Sequence, residues 1–532
     1  MALRNLRVDL TSYPFHPLLF ATYPILALLA ANITEVEVLV SIRALGISLF
    51  GIVSIFFLLR VICGSWRKAA LIASFVALWF FSYGHLYQFM RKVPVVGMCL
   101  GRHRYMIIFY GLLFVVGLWL IFKRSINLIA STKFMNLIGL VLVAYPVFRI
   151  VNHSFNISAG EEIAEELAVT TLKSHAISGE GDLPDIYYII LDTYTRADAL
   201  TNDFGFDNSP FLEELRETGF YIADCSRSNY SFTQASLSTS LNMVYLSELD
   251  QVLDEFGLDT DDVWLLLKQS LVSRQLKTIG YQTVAFDTGY EWSRIENADI
   301  YLSLAQDPFQ LQLIEPFEAM LIKSTLALVL TDLQNKAFLT QTNRLLEGIN
   351  EINFPYRSFV ERQLFILDQL PQIPSYPGPK FVFVHLLIPH VPHVFSPRGE
   401  IITDTRYYGG GLDDAINDDF FRRGYVNEIR FINSRMLAIV KTLIRDSETP
   451  PIIVIQGDSG VTKGNWLQIF NAYYLRGEQN PKLYSTISPV NTFRLIFDSY
   501  FGTDYGLLSD ESFFGNDFIH SVPETSPQCR TE

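Results

Sequence analysis

Three stretches of this chain place reactive residue types where a strand gives way to a loop. In "PPIIVIQGDSGVTKGN" (450–465) a β-branched apolar run stops at Gly457, Asp458, Ser459 and Gly460. Asp458 reads in two ways: as a cap for the turn that follows, or as an acidic ligand at the edge of a sheet, where open α/β folds bind their ligands. "LPDIYYIILDTYTRADAL" (183–200) repeats the pattern, with its strand-like run ending at Asp192. In "FVFVHLLIPHVPHVF" (381–395) the run ends among His385, His390 and His393, and no other histidine lies between His175 and His520. A lone histidine is usually structural, whereas three so close together suit substrate binding or proton transfer.

A fourth stretch, "SNYSFTQASLSTSLNMVYL" (228–246), is a hydroxyl-rich turn running into a helical pattern. Thr233 there is either an N-cap or a nucleophile at a helix start, where backbone N–H groups favour an anionic group. A threonine hydroxyl is a weak nucleophile near neutral pH and needs a base or a metal. Two strand-end carboxylates are hard oxygen ligands for a divalent cation.

These residues need a scaffold. Strand-like runs at 186–191, 283–286, 381–386 and 452–455 alternate with helical patterns at 209–218, 263–278, 356–370 and 424–445, which predicts a mainly parallel sheet covered by helices. Before them, apolar stretches at 17–31, 44–63, 69–89, 106–122 and 134–151 predict about five membrane spans, most near the length of a ~30 Å hydrocarbon core. The expected organisation is a transmembrane domain over 1–152, a linker over 153–183 with a short helix, an α/β catalytic domain over 184–520, and a flexible tail over 521–532.

Loop charge sets an expected orientation. With the N-terminus inside, the inner segments and span ends hold Arg4, Arg7, Arg60, Arg67, Lys68, Lys123, Arg124 and Lys133, against Arg43, Arg91, Lys92, Arg102, Arg104 and Arg149 outside. An odd number of spans then puts the α/β domain on the extracytoplasmic side of the plasma (inner) membrane. The net charge of −14, without clustered Lys and Arg in the soluble half, excludes nucleic acid as a partner. The four cysteines make neither a CxxC metal motif nor a disulfide framework, and a Cys225–Cys529 bridge stays open. Sequons at Asn32, Asn152, Asn156 and Asn229 matter only in a cell that glycosylates.

Together, "PDIYYIILDTYTRAD", "NYSFTQASL", "HLLIPHVPH" and "IQGDSG" resemble the sulfatase-like branch of the alkaline phosphatase superfamily, over roughly 184–514. The likeness is to its membrane-bound members, the lipoteichoic acid synthases and phosphoethanolamine transferases. It implies an alkaline-phosphatase-like α/β domain behind five spans. Thr233 would be the nucleophile, and Asp192, Thr233, Asp458 and Ser459 the ligands of one divalent metal ion. His385, His390 and His393 would bind substrate. Ser459 stands where the family usually has histidine, a change that suits magnesium, calcium or manganese better than zinc.

The reaction so implied transfers a phosphate-containing headgroup from a membrane lipid donor to a glycan or lipid acceptor through a covalent threonine intermediate. A sulfate- or phosphate-ester hydrolase is the alternative within enzymes, although Cys225 is followed by "SRSN" rather than a formylglycine motif. A catalytically degenerate member with a non-enzymatic envelope role is the alternative outside them.

Overall fold

The computed structural model describes residues 12–91, 103–123, 127–172, 177, 183–248, 253, 258, 262–304, 314, 316–329, 356–408, 418–462, 464–475, 483–515, 520–524, 526 and 528–529. The chain divides into two compact units, Met1–Ser154 with Pro308–Pro355, and Phe155–Asp307 with Tyr356–Glu532. The α/β region, read above as continuous from 184 to 520, thus gives up residues 308–355 to the N-terminal unit.

The first unit is built on α1 (His16–Ala31), α2 (Ser41–Cys63), α3 (Trp66–Arg91), α4 (His103–Lys123) and the first part of α5 (Leu128–Leu172). Among the described residues four helical segments are long and apolar enough to cross a membrane: Val38–Cys63, Trp66–Met90, Tyr105–Lys123 and Leu128–Ile157. The first of the five expected spans, α1, is shorter at 16 residues and carries Pro24. The short helix expected in the linker falls within the end of α5, which runs unbroken for 45 residues. No proline follows Pro146 within it, so no residue there lacks the N–H that a helix interior needs.

In the second unit, β1 (Ile186–Leu191) is followed by α6 (Ala197–Phe204), α7 (Ser209–Glu217), β2 (Tyr221–Ile222) and α8 (Thr233–Asn242). Next come α9 (Leu265–Lys268), α10 (Leu271–Thr278), β3 (Gln282–Phe286) and β4 (Ile300–Leu302). Helix α11 (Pro316–Ser324) belongs to the first unit. The chain then forms α12 (Arg357–Gln369), β5 (Lys380–Leu386), α13 (Asp419–Asp446), β6 (Ile452–Gly457), β7 (Asn471–Tyr474) and α14 (Pro489–Tyr500). The seven-stranded sheet has the order β2-β7-β6-β1-β5-β3-β4. It is mainly parallel, as expected, and β7 is the strand that pairs antiparallel with both neighbours.

The central strands β6, β1 and β5 are buried along their whole length, which is why they read as unbroken apolar and aromatic runs instead of alternating patterns. Strand alternation still sorts their side chains. Ile186, Tyr188 and Ile190 of β1, Phe381 and Phe383 of β5, and Ile452 and Val454 of β6 share one core with Ala235, Leu237 and Leu241 of α8 and Phe493, Ile496 and Phe497 of α14. Asp192, His385 and Asp458 continue those three series in steps of two, so the period puts all three on the face that α8 covers.

The segment expected as a flexible tail is tied down where it is described. Cys529 forms a disulfide with Cys225, Val522 O accepts from Arg227 Nη1 at 2.7 Å, and Ser526 Oγ donates to Asp198 Oδ2 at 2.8 Å. Glu524 lies 3.1 Å from Nη1 of the buried Arg196, which also pairs with Asp198. A buried guanidinium needs its charge matched, and Glu524 supplies part of that match.

Candidate active site

The strand register sets the site. Leu191, the last residue of β1, lies opposite Gly457 of β6 and Leu386 of β5, so Asp192, Asp458 and His385 fall within about one residue of a common edge. The edge is the C-terminal one, where ligands bind in open α/β sheets. Both aspartates are buried. Asp458 Oδ1 accepts the backbone N–H of Thr193 at 2.8 Å, while Asp458 Oδ2 and Asp192 Oδ1 have no hydrogen-bond partner. Asp192 Oδ2 lies 3.4 Å from His385 Nε2.

Two buried carboxylates this close oppose each other's ionisation. Burial, and then the charge of Asp192, push Asp458 up to about 6, against the pull of His385, the Thr233 hydroxyl and the Thr193 amide. Burial also pushes Asp192 up, but the His390 and His385 imidazoles outweigh it and hold that carboxyl below the usual range.

Thr233 is the first residue of α8, and the capping position belongs to Phe232, which makes no side-chain cap. The threonine hydroxyl is therefore not used as an N-cap, and it lies near enough to Asp458 to influence its protonation. One turn on, Ser236 Oγ is fully buried with no hydrogen-bond partner.

The three histidines separate. The His385 side chain is fully buried, its ring 5.4 Å from that of Trp292. His390 is partly exposed and near enough to act on Asp192, with Nδ1 2.7 Å from the carbonyl of Val391. His393 turns to α13, where Nδ1 lies 3.2 Å from Glu428 Oε2. Glu428 also accepts Val394 N at 2.7 Å and Phe395 N at 3.1 Å, so the pair fastens the loop to the helix. The sequence grouped His393 with the substrate-binding histidines, and in the structure its Nδ1 makes this loop contact. Spacing along a loop does not reveal which way a ring points.

Glycine brackets Asp458 for a reason of space. A Cβ on Gly457 would stand 2.3 Å from the Tyr194 carbonyl oxygen, and one on Gly460 would stand 1.9 Å from that of Asn465. The left-handed backbone at this edge belongs to Thr193 instead, at φ 58°. Its carbonyl accepts from the Tyr425 hydroxyl at 2.7 Å, and the same hydroxyl accepts Thr195 N at 3.2 Å. Ser459, also buried, follows Asp458 directly.

Among the described residues no three His, Cys, Asp or Glu side chains gather as a metal-holding group. The candidate set is instead two carboxylates with the hydroxyls of Thr233 and Ser459. Two buried carboxylate oxygens without a partner fit a cation, and an all-oxygen set favours a hard one.

No family model matches the chain, and no curated protein matches it. Among solved structures the chain is similar to the C-terminal periplasmic domain of EcEptC from Escherichia coli in complex with Zn, at 11% identity and TM-score 0.38, over 62% of this chain and 85% of that one. It is also similar to the integral membrane lipooligosaccharide phosphoethanolamine transferase A from Neisseria meningitidis, at 10% identity and TM-score 0.35, over 92% and 95% of the two chains. A 2-O GAG sulfatase matches at 10% identity and TM-score 0.35, over 61% of this chain and 72% of that one. These likenesses are slight, and the chemistry rests on this chain's own side chains.

Proposed function

We propose that this is a membrane-anchored enzyme that moves a phosphate-containing headgroup from a lipid donor to a glycan or lipid hydroxyl through Thr233. The observation that carries this reading is the meeting of Asp192, Asp458, His385 and the Thr233 hydroxyl on one face of one sheet edge, with a carboxylate oxygen of each aspartate left without a partner. A merely structural edge gains nothing from two buried acids that raise each other's cost of ionisation.

In the first step Thr233 Oγ bonds to phosphorus while the bond from phosphorus to the lipid oxygen breaks. The threonine proton passes to the Asp458 carboxylate, on which the Thr233 hydroxyl already acts. The departing lipid oxygen takes its proton from His390, the partly exposed histidine, and His385 holds an oxygen of the group. In the second step an acceptor hydroxyl attacks phosphorus and gives its proton to His390, the bond to Oγ breaks, and Asp458 returns its proton to Thr233. Asp192 and Asp458, with Thr233 and Ser459, would hold one divalent cation, which neutralises charge on the group and lowers the hydroxyl pKa.

The N-inside orientation puts this chemistry on the extracytoplasmic side, where an oxidising environment would sustain the Cys225–Cys529 disulfide. The reading is tested by incubating the purified full chain with mixed membrane lipids and Mg²⁺, Mn²⁺ or Zn²⁺ and measuring intact and peptide masses. An adduct on the Thr233 peptide, absent from Thr233→Ala, is the expected result. Water as acceptor would mark a hydrolase. No adduct and no turnover with any of the three cations would favour the non-enzymatic role.

A further inference from the structure

The chain leaves the α/β unit after Asp307 and re-enters it at Tyr356, and the residues between belong to the helical unit. Within them, Phe317 and Leu321 of α11 are buried in a cluster with Ile25, Leu29, Ile33 and Ala44, and Ile150 packs against it. Leu326 and Val329 pack against Tyr83, Met106 and Tyr110.

These contacts all fall at one end of the bundle. The contact residues come from the C-terminal parts of α1 and α3, the N-terminal parts of α2 and α4, and Ile150 of α5. That is the end from which α5 carries the chain out of the bundle. A second cluster with Phe20, Ile52, Ala73 and Ala77 holds the other part together without α11.

Two features make the contact specific. Arg43 of α2 donates from Nε to Glu318 Oε1 at 2.6 Å and from Nη2 to Oε2, a bidentate pair with Glu318 largely buried. Gly84 of α3 meets backbone: a Cβ there would stand 2.3 Å from the Lys323 carbonyl oxygen and 2.6 Å from Ser324 Cα. A glycine in mid-helix lowers helix stability, so its use here reflects the close approach.

We infer that residues 316–329 are a second, non-covalent membrane anchor for the α/β unit, seated on the bundle by the Arg43–Glu318 pair and the Gly84 contact. The inference holds whatever reaction the α/β unit performs. A site for a sequence-specific protease placed within 173–182 of the full chain, cut in native membranes and followed by a high-salt wash, tests it. The fragment that begins after the cut should stay in the membrane pellet. In Gly84→Leu or Arg43→Glu it should pass to the supernatant, and Arg43→Glu combined with Glu318→Arg should restore retention. Release of the wild-type fragment would overturn the inference. Equal retention in wild type and both single variants would do so too, because the hold would then lie elsewhere. A double variant that stays released while the single variants behave as expected would remove the ion pair from it.

Discussion

The Thr193 amide donates to Asp458 Oδ1 at 2.8 Å and so ties the end of β1 to the end of β6. It can do so because Thr193 is in the left-handed region, at φ 58°, a conformation that costs a β-branched residue and persists only when its surroundings hold it. Tyr425 is that holding group, with its buried hydroxyl bonded on both sides of Tyr194, to Thr193 O and Thr195 N.

Tyr425→Phe should therefore do two things. It leaves a buried carbonyl and amide without this partner, at a cost of about 1–3 kcal/mol in denaturant unfolding. It also loosens the amide that holds Asp458, so Mn²⁺ binding by titration calorimetry should weaken several-fold. Loss of stability with unchanged Mn²⁺ affinity would make Tyr425 a packing residue only.

Thr233→Ala should abolish any covalent adduct while changing stability by less than the ~1 kcal/mol typical of a lost cap, because Phe232, not Thr233, occupies the capping position. Adduct mass and thermal unfolding measure the two effects separately. Undiminished turnover in the alanine variant would remove Thr233 from the mechanism.

Cation binding should rise with pH through about 6, where Asp458 loses its proton. Below that value proton and cation compete for the same carboxylate, so apparent affinity should fall up to about tenfold per pH unit and level off above it. For the cation-free protein the sign is opposite in stability. A carboxyl raised from its unfolded value of about 4 contributes stability that is present below pH 4 and lost as the pH rises through 6. Added Mn²⁺ should restore stability above pH 6, and a pH-independent binding isotherm would show that Asp458 is not a ligand.

Reading strand ends from the sequence works here because the two aspartates sit one step beyond runs buried on both faces and His385 sits next to the end of a third, and a period of two carries them to one side. The supports around them are harder to read. Tyr425 and Thr193 lie 232 positions apart, and nothing local marks a threonine as left-handed. His393 shares its loop with His390, yet only the fold brings Glu428 beneath it. Helix α11 is nine residues long, and its place beside Gly84 depends on backbone proximity that a hydrophobic pattern does not encode.

Cys225→Ser combined with Cys529→Ser should free the segment around Glu524 and Ser526, leaving Arg196 with Asp198 as its carboxylate partner. Loss of a bridge spanning 304 residues is expected to cost about 2–4 kcal/mol, and protease should then nick the segment near residue 521. In intact cells the two cysteines should resist alkylation until a reductant is added, the outcome for an extracytoplasmic domain. Immediate alkylation of both under non-reducing conditions would place the domain in a reducing compartment.

Ser459→His tests the donor set itself. With oxygen ligands alone the site favours magnesium, manganese or calcium, and an imidazole beside Asp458 adds a nitrogen donor that zinc prefers. Ser459 is buried, so the larger ring must find room, and circular dichroism should accompany the titration to show that the fold survives. In a folded variant zinc affinity should rise at least tenfold relative to Mn²⁺. Asp458→Asn should weaken every cation, because it removes the charged oxygen that faces no partner. If neither wild type nor Ser459→His binds a divalent ion at millimolar concentration, the two aspartates do not form a metal site, and their burial at one sheet edge needs another cause.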